Sequence, residues 1–67
     1  MKTFHNSNIK TRNYDCTNVV CCQAESIELA AAVIPGADWK ECSEDKIDSL
    51  KVHQLWIQGG VKLFGWM

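Results

Sequence analysis

Apolar positions along this chain follow two rhythms. Val19, Val20, Cys21 and Cys22 are consecutive, and an apolar run without alternation predicts a strand covered on both faces. That strand is expected over residues 17–24, with Val20, Cys22 and Ala24 on one face and Val19 and Cys21 on the other. From Ile27 the rhythm becomes helical. Ile27, Ala30, Ala31 and Ile34 recur at the spacing of one helix face and should meet a sheet, with Leu29 and Val33 widening that face. Ser26 is suited to cap the first turn and Glu28 to sit against its positive end. Pro35 ends the helix because it has no amide to donate and disfavours helical geometry at Ile34, while Gly36 permits the reversal.

The flanking segments predict four more strands. Residues 3–14 carry Phe4, Ile9 and Tyr14 among polar neighbours and predict a first, exposed strand with a turn or irregularity at Asn6, Ser7 and Asn8. Residues 38–44 predict a third strand, with Trp39 and Glu41 opposite Lys40 and Cys42. Ser43, Glu44 and Asp45 resemble a helix start, and residues 45–50 could form one turn. However, Leu50, Val52, Leu55, Trp56 and Ile57 wrap around a helical projection and fit a strand better. Gly59 and Gly60 supply a two-residue hairpin turn. The return strand has Val61, Leu63 and Met67 on one face and Lys62, Phe64 and Trp66 on the other. The expected fold is therefore α+β, a single domain over residues 1–67 with one helix on one face of an antiparallel sheet, in the order β-β-α-β-β-β.

Composition agrees with a packed domain of minimal size. The chain has 67 residues, 46% of them hydrophobic, including three Trp, two Phe and one Tyr. No stretch approaches the roughly 20 apolar residues that span a bilayer, and the polar N-terminus lacks the apolar centre of a secretory signal. A cytoplasmic location without membrane association is the expectation. The net charge is −1 but unevenly spread: residues 15–49 hold all eight acids against two lysines, a net −6, between ends of net +3 and +2. This balance disfavours direct binding to nucleic acid, which usually relies on a basic stripe. It suits encounter with a basic protein surface.

Catalytic constellations are hard to assemble from these residues. The cysteines are Cys16, Cys21, Cys22 and Cys42. Adjacent Cys21 and Cys22 should point to opposite faces of a strand, away from any shared tetrahedral metal, so the expected thiols are structural and buried. A Cys22–His53 nucleophile pair would need hydrogen-bond reach and a third orienting group. Neither an enzyme nor a bound cofactor or metal is expected. The aromatic residues say more. If the face of Lys62, Phe64 and Trp66 is not the one the helix covers, it presents an aromatic patch of the kind that marks interaction sites.

The segment from Asn18 to Gly36, above all Ala24, Glu25, Ser26 and Ile27 followed by Ala30 and Ala31, resembles the strand-to-helix junction of small phage-encoded anti-CRISPR proteins that block multi-subunit surveillance complexes. In size and plan the chain is also similar to a small phage inhibitor of bacterial RNA polymerase. The resemblance implies a non-enzymatic inhibitor in the host cytoplasm, occluding a site on a larger host protein complex, which can itself be a nucleic-acid-binding machine. The partner-binding residues expected from charge and aromatic character are Asp38, Glu41, Glu44, Asp45 and Asp48, with Trp39 and Trp66 as anchors. The alternative is a small nucleic-acid-binding regulatory protein that gathers Lys2, Lys10, Arg12, Lys51 and Lys62. Monomer and homodimer are both compatible with so short a chain.

Overall fold

The computed structural model describes residues 1–7 and 18–66. In chain order the elements are strand β1 (Lys2–Asn6), strand β2 (Asn18–Ala24), helix α1 (Ile27–Val33), strand β3 (Trp39–Cys42), helix α2 (Asp45–Leu50), strand β4 (His53–Gln58) and strand β5 (Val61–Trp66). The strands form one sheet in the spatial order β3-β1-β2-β5-β4, and every neighbouring pair is antiparallel. The α+β class and the five strands agree with the sequence reading. The order differs by one element, because α2 lies between β3 and β4.

Topology explains the extra helix. β3 and β4 occupy opposite edges, four strand spacings or about 19 Å apart. A strand starting at Leu50 could not continue directly from β3, because the chain must first cross the sheet. Ser43 starts the crossing: its Oγ accepts from the Asp45 amide at 3.2 Å, and its carbonyl accepts from the Lys46 amide at 3.0 Å. Lys51 stops the helix in the left-handed region at φ 57. Both helical connections join parallel strands, β2 to β3 and β3 to β4, but they travel in opposite directions across the sheet. Crossovers of one hand that travel in opposite directions must lie on opposite faces.

Helix α1 forms as its residues dictate. Ser26 is extended and its Oγ accepts from the Leu29 amide at 3.4 Å. The Ile34 amide donates to the Ala30 carbonyl at 3.1 Å, Pro35 follows, and Gly36 turns at φ +89. The sheet-facing stripe is narrower than the spacing predicts. Ala30 and Ile34 are buried and Val33 is half-buried, whereas Ile27, Leu29 and Ala31 are exposed. A seven-residue helix held close by a fully buried alanine touches the sheet along one edge only.

Under α1 lies the core: Phe4, Val19, Cys22, Ala24, Ala30, Ile34, Trp39, Val61 and Leu63. Here one expected face assignment is corrected. A register shift lies between Val19 and Cys21 in the β2–β5 ladder. This bulge returns Val19, rather than Val20, to the face of Cys22 and Ala24. Asn6 closes the far end of the core. Its Nδ2 donates to the Val19 carbonyl at 3.1 Å, and its Oδ1 accepts from the Asp38 amide at 3.1 Å, so a fully buried polar side chain ties β1 to β2 and to the entry of β3. The hairpin turn at Gly59 and Gly60 is as expected, with both glycines at positive φ.

Candidate functional site

Register assigns the side chains of the second face. Thr3 and His5 of β1 stand opposite Gln23 and Cys21 of β2, and Cys42 and Lys40 of β3. Cys21 and Gln23 stand opposite Phe64 and Lys62 of β5, which in turn meet Gln54 and Ile57 of β4. Cross-strand partners share a face. Lys62, Phe64 and Trp66 therefore lie on the face that α1 does not cover.

Helix α2 crosses this second face. The Lys46 ammonium is close enough to lower the His5 pKa, after burial, and to work against the burial that raises the Cys21 and Cys42 thiols. At the far end of the helix the Leu50 carbonyl accepts from Trp66 Nε1 at 3.2 Å. That bond fixes the ring while 42% of the residue stays exposed. α2 buries none of its own residues, and Glu44, Asp45 and Asp48 are all exposed. The arrangement is a ledge of three exposed acids with Lys46 and exposed Lys51 among them, ending at a tethered indole. Acids in solvent repel one another little and attract cations over a Debye length, while a half-exposed Trp offers a large amphipathic surface at low entropic cost.

The expected partner-binding residues thus divide. Asp45 and Asp48 lie on α2 with Glu44 at its N-cap, and Trp66 meets the other end of that helix at Leu50. Asp38 is exposed but engaged at home, its carboxylate accepting from Ser7 Oγ and its carbonyl from the Ser7 amide at 2.9 Å. Glu41 is exposed on β3, opposite Phe4 and so on the α1 side of the sheet. Trp39 is corrected from anchor to core: it is 6% exposed and packs beneath α1. Its register partner Asn6 already faces inward, so the alternation of β3 carries Trp39 into the core as well. Its Nε1 is buried without a hydrogen-bond partner among the described residues. The signal for the ledge was the helix start at Ser43, Glu44 and Asp45. It was outweighed by the apolar residues that follow.

Among the described residues, the Cys22–His53 pair considered from the sequence is not assembled. Cys22 lies in the core under α1, while His53 is at the start of the edge strand β4. Cys21 does stand beside His5, but burial holds its pKa up at about 11 with Cys42 adding to the rise, and burial holds Cys22 at about 12. At neutral pH both are thiols, which are poor nucleophiles and poor ligands. Among the described residues, no group of three or more His, Cys, Asp or Glu side chains could hold a metal ion. No described helix is long and apolar enough to cross a membrane. Of the basic residues in the nucleic-acid alternative, Lys10 and Arg12 lie outside the described residues, as do Cys16 and the second half of the first expected strand. No protein family, curated protein or solved structure matches the chain.

Proposed function

We propose that this chain is a small phage-type inhibitor, anti-CRISPR-like in its mode of action, that binds a larger host protein or nucleoprotein complex in the cytoplasm and occludes a working site without catalysis. The observation that carries this reading is the ledge: exposed Asp45 and Asp48 on α2 and Glu44 at its N-cap, with a half-exposed Trp66 held by the Leu50 carbonyl at the other end. Carboxylates that precede an aromatic anchor fit a basic surface bordering an apolar pocket. Charge speeds the encounter and the ring supplies the retained contact. Occlusion asks nothing more of the chain than shape and charge.

The test is retention of host proteins from lysate on the immobilised chain. The wild type is compared with the triple variant Glu44→Lys, Asp45→Lys, Asp48→Lys and with Trp66→Ala. Retention should fall steeply for the triple variant at low salt and lose that difference at high salt. Trp66→Ala should weaken binding at every salt concentration. If both variants retain the same proteins as the wild type, the ledge is not the binding surface.

One observation favours a second reading, a nucleic-acid-binding regulator. Lys40 and Lys62 lie on the second face by register, and Lys46 reaches it from α2. A salt-sensitive gel shift with mixed DNA and RNA would favour that reading. The exposed acids on the same crossover weigh against it.

A further inference from the structure

The sheet ends in two edges of different character. β3 is four residues long and carries Lys40 and Glu41, both exposed. β4 is six residues long, His53 to Gln58, with no Asp, Glu, Lys, Arg or Pro. Short length, charge, proline and bulges are the usual protections of an edge against pairing with another chain, and of these β4 has only a bulge. That bulge is the register shift between Gln54 and Trp56, and the Trp56–Gln58 end beyond it pairs with β5 in continuous register.

At that end the outward groups can be identified. Gln58 and Val61 flank a two-residue turn, so they exchange both ladder hydrogen bonds. Alternation then turns the Trp56 amide and carbonyl toward β5 and those of Ile57 outward, away from the sheet. The Ile57 side chain is 57% exposed, the highest value for an apolar residue inside a described strand. On the other face Trp56 is half-buried and fixed by a bond from its Nε1 to Gln58 Oε1 at 3.0 Å.

We propose that β4 pairs with β4 of a second copy of this chain, antiparallel and two-fold symmetric, with Ile57 on the axis. In this register the two Ile57 residues exchange both outward hydrogen bonds and cover each other's side chains, and Trp56 stands opposite the partner copy's Gln58. A second copy is the occupant the strand itself selects. A chain of net charge −1 meets no like charge along this edge, the strand complements itself in the antiparallel sense, and the most exposed apolar side chain falls on the axis where its own equivalent can bury it. In this register only Trp56, Ile57 and Gln58 of each β4 lie opposite one another, so the contact is small and the dimer weak and concentration-dependent.

Sedimentation equilibrium measures this directly. The wild type should shift from monomer to dimer mass as concentration rises toward about 100 µM, the regime of small interfaces. Ile57→Pro removes the outward amide without touching the bonds to β5 and should remain monomeric there, with unchanged far-UV circular dichroism. Ile57→Cys places two sulfurs across a hydrogen-bonded pair, whose Cα separation of about 5.5 Å suits a disulfide. It should form a covalent dimer under mild oxidation, whereas Lys40→Cys on the other edge should not. A wild type that stays monomeric at about 1 mM, well above the concentrations of weak association, would overturn the proposal. So would a dimer that survives Ile57→Pro, or crosslinking through position 40 as readily as through position 57.

Discussion

The two faces of the sheet are built from the same five strands and differ in nearly every physical respect. Beneath α1 a cluster of aliphatic, aromatic and thiol side chains is mostly fully buried, with buried Asn6 beside it and exposed Glu41 on the same face. Beneath α2 the side chains include Thr3, His5, Gln23, Lys62 and the half-buried Phe64, with the Gln23 amide donating to Thr3 Oγ1 at 3.3 Å. Cys21 and Cys22 are neighbours in one strand, yet burial lifts the thiol on the α1 side to about 12 and the one on the α2 side to about 11. One face holds the domain together. The other is left polar enough to be used, and a domain of this size has little apolar surface to spare for both tasks.

The largest expected effect tests that division of labour. Leu63→Ala, on the α1 face, should cost about 2–5 kcal/mol, whereas Phe64→Ala, one residue on and half-buried, should cost less than about 2. Urea unfolding midpoints measure both. Equal losses would mean that the α2 face is packed as closely as the other and that the contrast is false.

A smaller effect sharpens the contrast by pH. Folding holds both thiols protonated above the value of about 9 expected unfolded, so their contribution is fully present below that pH and is lost as pH rises through the folded values. Each thiol should lower stability by about 1.4 kcal/mol per pH unit across its own window. The loss should continue toward about 12 for Cys22 but level off near about 11 for Cys21. Thermal unfolding of Cys21→Ala and Cys22→Ala between neutral and alkaline pH separates the two. His5 acts at the acid end. Its lowered pKa favours the neutral ring, so its contribution is present above its ordinary pKa and declines as pH falls below it.

The smallest effect concerns Trp39. Replacing it with Phe removes ring volume, which destabilises, and also a buried donor without an acceptor, which stabilises. The two terms should cancel to within about 1 kcal/mol. A loss beyond about 2 kcal/mol, on the scale of a broken buried hydrogen bond, would show that the indole N–H is satisfied after all.

Much of this architecture was legible in the linear pattern because it depends on contacts between near neighbours. The cap at Ser26, the stop at Pro35 and the turn at Gly59 and Gly60 are decided within a few residues, and so is the alternation that sets Val61 and Leu63 against Lys62 and Phe64. Three features depend on residues far apart in sequence. The bulge in β2 moved Val19 to the core face because β5 had to be matched. Trp39 was drawn inside by its pairing with Asn6. α2 formed because β3 and β4 lie at opposite edges, and only the spatial strand order shows that the chain must cross a face there. Backbone chemistry within one turn or hairpin thus determined which elements exist and where they stop. Which side chains are spent on the core, and which end of α2 meets Trp66, was decided by strand order and register, since burial belongs to the assembled sheet and not to any one segment of it.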